Sequence, residues 1–282
     1  MGISNKLPHE KCIEGPSGTP SGALLPMLIA HRGAMARTPE NTTIAFDAAL
    51  CCNVDGIECD VQLTADGIPV VFHDDDIFRI TGQKGSISDY TFDMLVKLDY
   101  GKWFSEKYEG TPLLGLKELI RRYAHQTHLM IEFKTGYCGR SGFTEVRRNL
   151  AEKSVDMIMA KAPESCIDNI HILSFDQKAL FIANERAPAL KTILNLARDY
   201  HAQIDMMNNS HVISGYGIPF GHLDKTLVAL AHNAGKKIMT YACNTTSQVA
   251  AALHAKADFI LTDDPAAVAP YFYSVIYKED RF

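Results

Sequence analysis

The four residues Thr64-Ala65-Asp66-Gly67 constrain the fold more than any other feature of this 282-residue chain. They separate two apolar runs, Gly56 to Leu63 and Pro69 to Phe72, by a link far too short for the crossover that joins parallel strands. Asp-Gly is instead a strong hairpin signal, so the second run is predicted to pair antiparallel with the first. Seven further runs have strand character: Met27 to His31, His128 to Phe133, Asn169 to Phe175, Leu190 to Leu196, Ser210 to Ser214, Lys237 to Ala242 and Asp258 to Leu261. Helical spacing fills most intervals between them, in Asn41 to Cys51, Gly115 to His125, Glu145 to Ala160, Gln177 to Arg186, His222 to Asn233 and Ser247 to His254. Strands alternating with helices give a parallel sheet flanked by helices. With Pro69 to Phe72 set aside as a hairpin arm, eight parallel strands remain, the number that closes a barrel. The predicted fold class is α/β, a (β/α)8 TIM barrel.

Residues 1–26 are polar and rich in Pro and Gly, without the apolar stretch of a secretory signal, and read as a flexible extension. Residues 27–282 read as the barrel. About 74–112 form an insertion after the hairpin, holding a helix-like stretch from Thr91 to Leu98 and the only tryptophan, Trp103. A hydrophobic content of 46% suffices for one large core. No run approaches transmembrane length. The net charge is -5, and no Lys/Arg cluster interleaved with aromatics marks a nucleic-acid surface. Seven cysteines without zinc-like or CxxC spacing suit reduced thiols in the cytoplasm.

Chemistry gathers at three strand ends. Glu58 and Asp60 are two apart on one strand and share a face, an arrangement that fits a cation between them or a salt-bridge network. A two-residue Asp66-Gly67 loop would set His73 opposite Asp60; a bulged turn would shift that register by one. Glu132 and Lys134 share a face near the end of the next parallel strand, and Lys134 suits either Glu132 alone or a phosphate. His31 and Arg32 close the first strand, before Gly33 turns the chain. Glu58, Asp60 and Glu132 make an all-oxygen set that favours Mg²⁺ or Ca²⁺ over zinc. Two histidines, an arginine and a lysine beside it suit phosphodiester cleavage.

These residues resemble the glycerophosphodiester phosphodiesterase family of the bacterial cytosolic type. The matching strings are His31-Arg32-Gly33, Pro39-Glu40-Asn41-Thr42, Asp55 to Val61, Thr64 to Gly67, Val70 to Asp74 and Ile131-Glu132-Phe133-Lys134. Later echoes are Ser174-Phe175-Asp176, Tyr241 to Asn244 and Thr262 to Pro265. The resemblance implies metal-dependent hydrolysis of a small glycerophosphodiester to sn-glycerol 3-phosphate and an alcohol. It implies His31 and His73 as acid/base catalysts, and Glu58, Asp60 and Glu132 as ligands of one divalent cation. It places Arg32 and Lys134 at the phosphate, with Glu40, Asn41, Phe175 and Tyr241 at the substrate pocket. Tyr241 stands where the family usually carries Trp, and Lys256 where it usually carries Gly. Head-group preference, the choice of Mg²⁺ or Ca²⁺, the assignment of acid and base and the oligomeric state stay open.

Two other readings compete. A lysophospholipase D-like enzyme would need an exposed apolar rim, for which Trp103, Phe104 and Tyr108 are candidates, although they also suit packing of the insertion onto the barrel. A non-catalytic phosphate-binding barrel would have lost a ligand or a histidine, and all five positions are intact.

Overall fold

The computed structural model describes residues 25–135 and 145–279. The expected extension therefore lies outside the described residues, apart from its last two. Eight parallel strands close on themselves: β1 (Met27–His31), β2 (Gly56–Leu63), β4 (His128–Phe133), β5 (Ile170–Ser174), β6 (Lys191–Asn195), β7 (Gly215–Pro219), β8 (Lys237–Tyr241) and β9 (Phe259–Thr262). Closure comes from β1, which pairs with both β2 and β9. The short β3 (Pro69–Val71) pairs antiparallel with β2 outside the ring.

Helices follow the strands: α1 (Thr43–Leu50), α2 (Phe78–Thr81), α3 (Phe92–Leu95), α4 (Leu116–Tyr123), α5 (Glu145–Lys161), α6 (Gln177–Arg186), α7 (Tyr200–Met207), α8 (Lys225–Asn233), α9 (Thr246–His254) and α10 (Pro265–Glu279). Local chemistry starts several of them. Thr42, Asp176 and Asp224 cap α1, α6 and α8 by accepting backbone N–H bonds from the first turn. Thr245 and Gln248 form a reciprocal capping box on α9.

The strands alternate sides. Outward residues such as Ile57, Ile131, Ile172, Tyr216 and Ile260 pack with the helices into the main core. Inward residues stack inside the ring, where Ile29, Met130, Leu173, Ile193, Met239, Phe259 and Leu261 form an apolar plug. That plug closes the barrel below its C-terminal mouth and leaves the mouth as the place for polar chemistry.

Two expectations need correction. The hairpin is closed by Thr64 and Ile68 around the three residues Ala65-Asp66-Gly67, with Gly67 at φ +76°. That is the bulged three-residue turn. The register pairs Val61 with Val71, and Asp60 meets Phe72, not His73. The seventh barrel strand, expected at Ser210–Ser214, is Gly215–Pro219. The Gly-Tyr-Gly-Ile-Pro run raised no strand expectation, and its glycines are steric necessities. A Cβ on Gly217 would lie 2.1 Å from Asn195 Oδ1 and 2.7 Å from Met239 Cε. Helices α7 and α10, for which the sequence raised no expectation, complete the outer layer.

The segment after the hairpin has a core of its own. Val70, Phe72, Ile77, Ile80, Ile87, Leu95, Tyr100 and Leu113 are buried together, and Trp103 packs against them. Trp103 Nε1 donates to the Tyr100 carbonyl at 3.0 Å. It serves as packing for this segment.

Candidate active site

Strand register assembles the site. In the parallel β1–β2 pair His31 is level with Glu58, and in the β2–β4 pair Asp60 is level with Glu132. Residues level with each other across parallel strands share a face, so four groups separated by up to 101 positions meet at one mouth. Glu58, Asp60 and Glu132 each bring a carboxylate oxygen within 4.8 Å of the others. Glu58 and Asp60 are each only 1% exposed.

The three carboxylates are balanced unequally. Asp60 accepts from Asn41 Nδ2 at 3.0 Å, with Arg32 Nε at 3.1 Å and Lys134 Nζ at 3.6 Å. Burial raises its pKa, but Arg32, Lys134 and His73 outweigh burial and hold it well below the ordinary carboxylate range. Glu132 accepts from Lys134 Nζ at 2.9 Å and from Asn195 Nδ2 at 3.0 Å. Glu58 accepts the backbone N–H of Arg32 at 3.0 Å and faces His31 Nε2 at 3.8 Å. Burial, reinforced by Asp60 and Glu132, pushes the Glu58 pKa up to about 8. The salt-bridge network and the acidic cluster thus coexist. Arg32 and Lys134 answer two of the three carboxylates, and the donor set that remains is the hard, all-oxygen kind that suits a divalent cation.

Arg32 and Gly33 both have left-handed backbone, at φ +52° and +81°. This turns the Arg32 N–H toward Glu58. Gly33 is irreplaceable there, since a Cβ would lie 2.6 Å from the Ala45 backbone.

Each imidazole is held by its own carboxylate. His31 Nδ1 lies 2.6 Å from Asp263 Oδ1, and His73 Nδ1 lies 2.9 Å from Asp74 Oδ1. Asp263 in turn accepts from Asn244 Nδ2 at 2.6 Å. Burial works against charge on His31, but Glu58 and Asp263 outweigh it and its pKa stands above the ordinary imidazole value. A carboxylate on Nδ1 fixes the ring and leaves Nε2 as the nitrogen for chemistry. His73 reaches the site from beyond the end of β3, despite the shifted register.

A cavity of about 520 Å³ collects these groups. His31, Arg32, Glu58, Asp60, His73, Glu132 and Lys134 line one side; Leu173, Phe175, Met239, Tyr241 and Leu261 line another. Phe175 and Tyr241 thus stand at the cavity. Glu40 and Asn41 are buried a layer behind, where Glu40 accepts from Arg32 Nη1 at 3.0 Å and Asn41 holds Asp60. The sequence reading assigned no role to Asp74, Asp263 or Asn195. Asp74 had a signal, its adjacency to His73. Asp263 lay within the Thr262 to Pro265 echo, but nothing in the sequence tied it to His31, 232 positions away. Asn195 showed only as one polar residue ending an apolar strand.

A parallel barrel with this mouth defines an enzyme, of the class that hydrolyses phosphoric diesters. The model of the glycerophosphoryl diester phosphodiesterase family matches residues 31–267, and the chain belongs to that family. It is 31% identical over 244 residues to the glycerophosphodiester phosphodiesterase of Caldanaerobacter subterraneus, covering 85% of this chain and 94% of that one. The Bacillus altitudinis glycerophosphodiester phosphodiesterase is 30% identical, covering 84% and 94%. Among solved structures, the Oleispira antarctica phosphodiesterase in complex with the product sn-glycerol-3-phosphate is similar with a TM-score of 0.75. It is 25% identical and covers 90% of this chain and 97% of that one. Among the described residues, no helix is long and apolar enough to cross a membrane.

Proposed function

We propose that this enzyme hydrolyses glycerophosphodiesters to sn-glycerol 3-phosphate and an alcohol, with His31 and His73 as acid and base. Glu58, Asp60 and Glu132 would hold one divalent cation, Mg²⁺ or Ca²⁺. The observation that carries the reading is the pair of imidazoles, each held at Nδ1 by a carboxylate, on a cavity that also contains the acidic cluster. The relative that binds sn-glycerol-3-phosphate supports this product.

In this mechanism Arg32 and Lys134 bind the phosphate oxygens. One histidine takes the proton of the glycerol 2-hydroxyl, whose oxygen attacks phosphorus. The other histidine protonates the departing alcohol oxygen. A cyclic glycerol phosphate results, and water opens it with the two roles exchanged. Each proton transfer contributes about 10²- to 10⁴-fold. A bound cation supplies Lewis-acid charge against the negative charge that develops at phosphorus. The departing alcohol lies toward Phe175 and Tyr241.

The same reading takes residues 27–282 as one barrel with 74–112 as its insertion. It places the enzyme in the cytoplasm, in keeping with the unpaired state of the five described cysteines. The test is incubation with glycerophosphocholine, following glycerol 3-phosphate with a coupled dehydrogenase, in EDTA, Mg²⁺ or Ca²⁺. Metal-dependent release is expected. Full activity in EDTA would remove the cation from the mechanism, and no release from this or other head groups would overturn the activity.

A further inference from the structure

Arg79, on the short helix α2, touches neither the cavity nor the acidic cluster, yet it joins both sides of the site. Its Nε donates to Asp74 Oδ2 at 2.6 Å and its Nη2 to Asp74 Oδ1 at 3.0 Å. Nη1 and Nη2 also donate to Glu40 Oε2 and Oε1, both at 2.9 Å. The guanidinium lies 4.9 Å from the Trp103 ring centroid. One planar cation therefore forks onto two carboxylates from separate barrel loops and rests on an aromatic face.

Both carboxylates hold a group of the site. Asp74 holds His73, and Glu40 holds Arg32, which contacts Asp60. We propose that Arg79 is a positioning residue that fixes His73 and Arg32 relative to each other. This rests on the activity proposed above.

The physical need is plain. Glu40, Asp74 and His73 bring ligand-type atoms within 4.8 Å of one another. Two carboxylates that close repel unless a cation lies between them. With Arg79 in place the repulsion becomes four charge-assisted hydrogen bonds in a fixed plane. Without it, Asp74 is pushed away from Glu40 and carries the His73 ring with it. A lysine offers a point charge and no fork, so it cannot hold both acceptors in one plane.

The experiment compares Arg79→Ala, Arg79→Lys, Asp74→Asn and the Arg79→Ala/Asp74→Asn double variant on glycerophosphocholine. Arg79→Ala is expected to lower kcat about 10- to 100-fold, the usual cost of losing a supporting partner, with a smaller change in KM. Millimolar guanidinium should restore part of that loss, and Arg79→Lys should stay impaired. Because Asp74→Asn removes one of the two carboxylates that repel when Arg79 is gone, the losses in the double variant should be less than additive. Activity of Arg79→Ala within about two-fold of wild type would overturn the proposal. Additive losses with no guanidinium rescue would also overturn it. Ring-nitrogen spectra of isotope-labelled histidine give a second reading without turnover. The His73 signals should change in Arg79→Ala, and unchanged signals sink the idea. An inactive wild type would end the proposed function and leave this spectroscopic test standing.

Discussion

His31 and Asp263 stand 2.6 Å apart, Nδ1 to Oδ1, although 232 positions separate them in the chain. Asp263 takes its place through Asn244, whose side-chain oxygen accepts the Asp263 backbone N–H at 2.8 Å. Replacing the carboxylate should therefore act through the imidazole. Asp263→Asn is expected to lower kcat about 10- to 100-fold, and His31→Ala or His73→Ala about 10²- to 10⁴-fold, with the fold intact. Steady-state kinetics and circular dichroism check this. Wild-type turnover in either histidine variant removes that residue from acid/base chemistry.

Glu132 is held from two sides, by Lys134 and by Asn195. If it is a ligand, Glu132→Gln should raise the metal concentration for half activity by about 10-fold or more, and Asn195→Ala should do so more mildly. Titration of Mg²⁺ and of Ca²⁺ into EDTA-stripped enzyme measures both. An unchanged requirement in Glu132→Gln takes that residue out of the cation site.

His171 faces Phe259 inside the barrel at 5.2 Å, with its Nδ1 buried and lacking a hydrogen-bond partner. Burial pushes its pKa down to about 3, from an ordinary 6.5. Between those values the unfolded chain binds a proton that the folded chain refuses, so this contribution to stability rises with pH. It is fully present above about pH 6.5 and falls by about 1.4 kcal/mol per pH unit below it, until the folded ring itself titrates near pH 3. Denaturant unfolding across this range should show a shallower slope for His171→Leu than for wild type. Equal slopes would mean that other groups govern the acid limb.

Lys256 occupies the left-handed position that ends α9, at φ +66°. Its N–H donates to the Leu253 carbonyl and that of Ala257 to Ala252, the paired bonds of a Schellman motif. Gly235 plays the same part after α8, with Gly235 bonded to His232 and Lys236 to Ala231. Lys256→Gly should relieve the Cβ strain and raise stability by up to about 1 kcal/mol without changing turnover. A loss of stability on chemical denaturation would show that the Lys256 side chain contributes more than its backbone costs.

Much of the fold was legible because it rests on local patterns. β1, β2, β4 and α6 lie where apolar runs and helical spacing place them, and Asp66-Gly67 correctly marked the hairpin. The misses are sites where neighbours overrode local preference. The strand expected at Ser210–Ser214 lies instead at Gly215–Pro219, where glycine is required at 215 and 217 because Lys237, Asn195 and Met239 leave no room for a side chain. The hairpin register slipped by one because Gly67 takes a left-handed bulge that the Asp-Gly signal alone does not distinguish from the two-residue turn.

The sequence by itself determined the alternation of strand and helix, the common face of Glu58 and Asp60, and that of Glu132 and Lys134. Each follows from backbone periodicity within one element. Only the tertiary structure decided which groups answer one another: Asp263 to His31, Asn195 to Glu132, and Arg79 to both Asp74 and Glu40. The reason is geometric. Barrel closure brings β9 beside β1, and strand register sets which side chains share a level at the mouth. Neither is a property of any stretch of chain taken alone.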